Sequence, residues 1–170
     1  FFQKIADFAT NSTNEELFVL KGYAGTGKTT LISTLVANLI TVNKKYVLLA
    51  PTGRAAKVIA NYSGKPAFTI HKKIYFPKKN SSGGVSFTRQ VNKHKNTIFI
   101  VDESSMISDV NTDSKSADSN SLLDDLMNYV YSGENCKMIL LGDTAQLPPI
   151  NLEVSPALNI ETLLAYYNKD

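Results

Sequence analysis

Residues 22–29 read Gly-Tyr-Ala-Gly-Thr-Gly-Lys-Thr. Glycines at this spacing let successive backbone N–H groups turn toward one centre, and the lysine and hydroxyl that follow add a cation and an oxygen ligand. That combination can hold phosphate oxygens together with a divalent metal ion. The stretch follows Leu17-Phe18-Val19-Leu20, which reads as a buried strand, and opens Thr30–Val36, which reads as a helix. Strand, glycine loop and helix in this order form a P-loop, where the helix N-terminus adds partial positive charge at the phosphates. Gly22, Ala24, Gly25, Thr26, Gly27, Lys28, Thr29 and Thr30 are the expected cradle for ATP. Lys28 would reach the β- and γ-phosphates, and Thr29 would ligate Mg²⁺.

A P-loop that hydrolyses needs carboxylates opposite it. Asp102-Glu103 directly follows the apolar run Ile98-Phe99-Ile100-Val101. An aspartate placed there can hold Mg²⁺ through its water shell, and the adjacent glutamate can polarise an attacking water. A second apolar run, Met138–Leu141, is followed by Gly142-Asp143-Thr144-Ala145-Gln146-Leu147-Pro148-Pro149. Gly-Asp after a strand is a common turn. The Gln146 amide, however, can donate to a γ-phosphate and orient a water, and two prolines stiffen the loop that carries it. Lys28, Glu103 and Gln146 are the expected catalytic residues, with Thr29 and Asp102 at the metal.

These residues must be positioned by a scaffold, and the hydrophobic pattern supplies one. Four apolar runs, residues 17–20, 46–50, 98–101 and 138–141, alternate with segments of helical period at 30–40, 54–60 and 122–130. Such alternation predicts an α/β fold, a parallel sheet with helices on both faces, with chemistry at the carboxyl ends of the strands. Phe1, Phe2, Ile5, Phe8 and Ala9 predict an opening amphipathic helix. Residues 76–96, with Ser81-Ser82-Gly83-Gly84 at their centre, predict a small β-hairpin or insertion. The Ser/Asn/Asp-rich segment 108–121 predicts a flexible surface loop.

Composition narrows the class. The 170 residues are 43% apolar and 19% charged, ordinary for one globular domain. The single Cys136 excludes an internal disulfide framework, no stretch is long and apolar enough for a membrane span, and a cytoplasmic protein is expected. The net charge of +3 is unevenly spread. Residues 44–96 contain no acid but 12 lysines and arginines and both histidines. Such a run either solvates a surface or binds a polyanion longer than ATP. Tyr62, Phe68, Tyr75 and Phe76 are interleaved with it, and their rings can stack on unpaired bases.

Five segments in order, 22–29, Ala50-Pro-Thr-Gly-Arg-Ala-Ala56, Thr69-Ile-His71, Val101-Asp-Glu-Ser-Ser-Met106 and Gly142–Pro149, resemble the first motifs of superfamily 1 DNA helicases. The similarity is greatest to the RecD-like group, related to the exodeoxyribonuclease V alpha subunit. The resemblance implies a RecA-like motor domain (1A) across residues 1–170, using ATP and Mg²⁺ to translocate on single-stranded DNA, 5′ to 3′, and to unwind duplex DNA in repair or recombination. Lys28 and Thr29 would serve the phosphates and Mg²⁺, Asp102 the Mg²⁺, Glu103 as base and Gln146 as γ-phosphate sensor. Pro51, Thr52, Gly53 and Arg54 would line the single-strand path, joined by Lys57, and Thr69 and His71 would make a second DNA contact. His71 also reads as a core or capping histidine, and Arg54 as a solvated helix residue. The 76–96 insertion stands where relatives carry a strand-separating pin.

Two departures from the family pattern stand out. The family's adenine-reading glutamine has only Gln3 as a counterpart, off the apolar face of its helix. A second RecA-like domain, which in relatives supplies an arginine finger, is absent from the 170 residues. The chain opens at Phe1 rather than Met and is expected to be a fragment, nearly inactive alone, whose partners are DNA, the missing domain and nuclease or repair subunits. Two rivals remain on residues alone: a P-loop kinase or AAA-type remodeller, and a non-catalytic nucleic-acid-binding module that uses ATP structurally.

Overall fold

The computed structural model describes residues 2–10, 17–22, 27–79, 83–107, 121–143 and 155–167. In chain order these form α1 (Phe2–Thr10), β1 (Leu17–Gly22), α2 (Lys28–Thr41), β2 (Lys45–Ala50), α3 (Gly53–Ser63), β3 (Ala67–Thr69), α4 (Ile70–Ile74), β4 (Tyr75–Lys79), β5 (Val85–Arg89), β6 (Thr97–Val101), α5 (Leu122–Tyr131), β7 (Lys137–Asp143) and α6 (Ile160–Tyr167). Short 3₁₀ turns occupy Ser104–Met106 and Pro156–Leu158.

Five strands form one parallel sheet in the order β1-β7-β6-β2-β3. Side chains alternate across a strand, and both alternating sets are apolar here. Val47, Leu49, Phe99, Val101, Met138 and Leu140 pack against α4, α5 and α6. Leu48, Ala50, Ile98, Ile100, Ile139 and Leu141 pack against α1, α2 and α3. The expected helices on both faces are therefore present. Burying each large side chain contributes about 1.5–3 kcal/mol, so the central strands β6 and β7, buried at every position, anchor the loops at their ends.

The strand boundaries correct the sequence reading. β1 continues through Gly22 and β7 through Asp143, paired Lys21 with Gly142 and Gly22 with Asp143. Gly142 and Asp143 therefore sit in the sheet rather than in the loop after it. A fifth strand, β3, pairs with Leu48–Ala50. Three residues are too few to show a period, which is why the pattern of apolar runs did not reveal it.

The expected hairpin exists: β4 and β5 pair antiparallel from Tyr75 with Arg89 to Lys79 with Val85. Gly83 in the connection has φ +82°. Ser121, read as the end of a flexible loop, is instead buried and caps α5, its Oγ accepting from Asp124 N at 3.1 Å; residues 108–120 lie outside the described part. Lys137 is 7% exposed, donates to the Phe8 carbonyl at 2.7 Å and lies over the Phe8 ring, fastening the last turn of α1 to the start of β7. Cys136 is buried, and burial pushes its thiol pKa up, as befits a structural residue. No described helix is long and apolar enough to cross a membrane.

Candidate functional site

The β1–β7 register builds the first part of the site. Gly22 and Asp143 are Cα partners, so the chain leaves β1 beside Asp143 and returns to it at the start of α2. Gly27 precedes α2 with φ +77°, a conformation an L side chain rarely adopts, and no side chain caps the helix. Lys28, the first residue of α2, donates from Nζ to the Gly22 carbonyl at 3.4 Å and lies 3.5 Å from Asp143 Oδ2. Asp143 is 2% exposed. Taking a carboxylate that far out of water is costly unless a partner offsets the lost hydration.

The second part is held from both sides. Val101 lies between Leu49 and Leu140, and beyond it the Asp102 N–H donates to the Leu49 carbonyl at 3.0 Å. Two residues on, Ser104 Oγ donates to the Leu141 carbonyl at 2.9 Å. Burial raises the Asp102 pKa and the Glu103 charge raises it further, while the Glu103 N–H and Lys28 act against the shift. Glu103 itself has φ +52°. That left-handed conformation costs about 1–2 kcal/mol for a residue with a Cβ, and such strain gathers at functional sites. Gly142 has a different reason to be glycine: a Cβ there would meet Leu158 Cδ2 at 2.6 Å and Ser104 Oγ at 2.8 Å.

A lysine, an uncapped helix start and two adjacent carboxylates thus meet at one end of three neighbouring strands. This donor set suits a nucleoside triphosphate with Mg²⁺: the cation and helix N–H groups match phosphate oxygens, and Asp102 and Glu103 match a hard metal and a water. Thr29 lies in the first turn of α2 and Thr30 is exposed there. Ala24, Gly25, Thr26 and Gln146 lie outside the described residues.

The residues expected at DNA cluster beside this site on the same sheet edge. Ala50 and Thr69 are Cα partners in β2 and β3, so Pro51–Arg54 and Thr69–His71 leave adjacent strand ends. Thr52 and Thr69 also cap helices, their hydroxyls accepting from Ala55 N and Lys72 N, each at 3.2 Å. Arg54 and Lys57 are exposed on α3. His71 is exposed, not a core residue, and its ring lies 5.4 Å from that of Tyr75. Exposed Phe68 carries Lys73 Nζ 5.5 Å above its ring. Gln3 is exposed on α1, donating to Asp7 Oδ1 at 2.9 Å.

Residue types alone did not single out Asp143, Ser104 or Gly142. One signal was present: a carboxylate closing an apolar strand directly before the Gln146 loop. Its pairing with Lys28 depends on strand order, which residue spacing does not carry.

Residues 5–151 match the AAA_19 family, an AAA domain. The chain is 30% identical over 136 residues to the ATP-dependent RecD2 DNA helicase of Deinococcus radiodurans, an alignment covering 79% of this chain and 16% of that protein. It is 29% identical over 171 residues to the RecBCD enzyme subunit RecD of Buchnera aphidicola subsp. Schizaphis graminum, covering 87% of this chain and 25% of that one. Among solved structures, the Pif1 helicase of Candida albicans aligns with a TM-score of 0.50 at 22% identity, over 92% of this chain and 36% of that one. The Pif1 likeness concerns the fold. The chain spans a quarter or less of the length of these two curated relatives.

Proposed function

The chain belongs to the AAA_19 family as a RecD-like superfamily 1 helicase motor domain, and on that premise we propose that it hydrolyses ATP to move a larger polypeptide along single-stranded DNA, 5′ to 3′, opening duplex in repair or recombination. One observation carries this reading. A single sheet edge holds the Lys28–Asp102–Asp143 group over β1, β7 and β6, and an acid-free, basic segment over β2 and β3.

Each residue then has a physical task. Gly22 to Thr30 wrap the triphosphate, with the Lys28 cation on its outer phosphates. Thr29 and Asp102 would hold Mg²⁺, which when bound neutralises phosphate charge. Glu103, turned by its left-handed backbone, accepts a proton from the attacking water. Gln146 orients that water and passes the state of the site to the DNA side. Pro51–Arg54, Lys57, Thr69 and His71 line the strand path, and the β4–β5 hairpin stands as the strand-separating element.

The chain contains two arginines, Arg54 and Arg89. Arg89 donates to Asp125, and Arg54 is assigned to DNA. An arginine finger, worth roughly 10³–10⁵ in rate, must then come from a second RecA-like domain, and the 170 residues alone bind Mg·ATP with turnover near background. The deciding experiment is Glu103→Gln in the complete polypeptide. A motor loses hydrolysis and unwinding but keeps ATP and DNA binding. A binding module, or a kinase whose base lies elsewhere, is unaffected.

A further inference from the structure

The hairpin leaves the domain at the Tyr75–Arg89 pair, one residue from each strand. A single carboxylate holds both. Asp125 Oδ2 accepts from the Tyr75 hydroxyl at 2.6 Å, and Asp125 Oδ1 accepts from Arg89 Nη1 at 3.2 Å. Asp125 lies in the first turn of α5, 36 and 50 residues away in sequence from these partners, and its side chain is 16% exposed. Two charge-assisted bonds in one partly dry place define a direction better than either alone. Burial and the Asp125 bond push the Tyr75 pKa far up, so the hydroxyl keeps its proton and stays a donor.

The outer part of the hairpin exposes apolar side chains to solvent. Val85 and Phe87 are 58% and 66% exposed, and Phe76 is 57% exposed. Gln90 holds the base, its side chain donating to the Tyr75 carbonyl and its N–H to the carbonyl of Ile74 in α4, each at 2.7 Å. The first of these closes the hairpin on itself, and the second fastens the chain leaving β5 to the buried end of α4, whereas Asp125 is what ties both strands to α5. Beyond Asp125, α5 runs into β7, which ends at Asp143 beside Lys28. On the other side the ring of His71, on the strand path, lies against Tyr75.

We propose that Asp125 is a positioning residue that sets the angle of the hairpin on the motor domain, clamping Tyr75 and Arg89 so that α5 links the nucleotide site to the strand-separating arm. The proposal rests on reading the hairpin as that arm. Its contribution lies in coupling: hydrolysis does not need the clamp, whereas opening base pairs does.

The test uses the complete polypeptide carrying Asp125→Ala, with Tyr75→Phe and Arg89→Lys to remove one arm at a time. A spin label on Val85→Cys reports hairpin mobility without reference to activity. In Asp125→Ala the label should become more mobile, and base pairs opened per ATP should fall roughly 10–100-fold, the scale of a misplaced working group, while single-strand-stimulated hydrolysis stays at the parental level. Each single-arm variant should lie between. Unchanged label mobility overturns the proposal, as does a parallel loss of hydrolysis and unwinding, which marks a folding defect. The Val85→Ala/Phe87→Ala double variant separates the two readings. If it unwinds normally, the hairpin is not the strand separator, and the label alone then decides whether Asp125 clamps it. If it fails to unwind while Asp125→Ala unwinds normally, only the clamp is wrong.

Discussion

Lys28 Nζ stands 3.5 Å from Asp143 Oδ2, and the two residues face each other because Gly22 and Asp143 are paired across β1 and β7. The cation expected at the phosphates is thus held beforehand by the carboxylate that opens the Gln146 loop. On the proposed reading, triphosphate and Asp143 would compete for one ammonium group, and binding at the P-loop would change the charge balance at the start of that loop.

The two halves of this pair should not be equivalent. Asp143 is 2% exposed and the Lys28 side chain 17%. Removing Lys28 takes this cation from a carboxylate that cannot reach water, whereas removing the acid leaves an amine that can. Lys28→Ala should therefore destabilise the nucleotide-free domain by on the order of 3 kcal/mol, and Asp143→Asn by clearly less. Urea denaturation without nucleotide reads both. The reverse order would mean the pair does not govern this corner of the fold.

Glu103 should show a conflict between stability and turnover. Its φ of +52° is strained with a side chain and free without one. Glu103→Gly should raise stability by up to about 1 kcal/mol while abolishing hydrolysis. Glu103→Gln keeps the strain, so its melting temperature should match the parent. Thermal melts of the three proteins suffice, and a destabilised glycine variant would refute the strain argument.

Gly142 marks a close approach rather than a turn. Gly142→Ala forces a Cβ against Leu158 and Ser104 and should cost about 1–3 kcal/mol. Leu158→Ala empties part of that space, so the double variant should lose less than the sum of the single losses. Additive losses would mean Leu158 is not the obstacle.

His94 sets an acid limb. Burial lowers its pKa, and Lys73 and Lys45 lower it further; its ring meets Phe99 edge-on at 5.4 Å. The folded state thus favours neutral imidazole, while the unfolded chain takes up a proton near pH 6.5. Stability from this group is present above that value and is lost as the pH falls below it. Urea midpoints across pH 5–8 should slope downward on the acid side, and His94→Gln should flatten the slope.

Salt dependence tests the strand path. Arg54→Ala and Lys57→Ala should each weaken single-stranded DNA binding irrespective of sequence, and each should reduce the slope of log affinity against log salt by about 1. An unchanged slope would remove these two residues from the interface.

Much of the site was readable without coordinates because its parts are local. A glycine loop between strand and helix, or two carboxylates after an apolar run, is a statement about neighbours in the chain. The Tyr75–Asp125–Arg89 clamp and the Lys28–Asp143 pair are statements about residues tens to more than a hundred positions apart. Thr52 and Thr69 show a third case: their motif positions were visible, but their helix-capping bonds were not, because a cap depends on where a helix begins.

What the sequence determined by itself was the set of chemical parts and their order at the ends of the apolar runs: Gly22 to Thr29, Pro51 to Arg54, Asp102 with Glu103, and Gly142 onward, though where each strand stops was not part of it. Tertiary structure decided which parts touch. Inserting β7 between β1 and β6 puts Asp143 beside Lys28, and the placement of α5 brings Asp125 within hydrogen-bond reach of both Tyr75 and Arg89. Strand order and helix packing follow from burying both faces of one sheet at once. That is a property of the whole chain's apolar surface, and no segment read alone contains it.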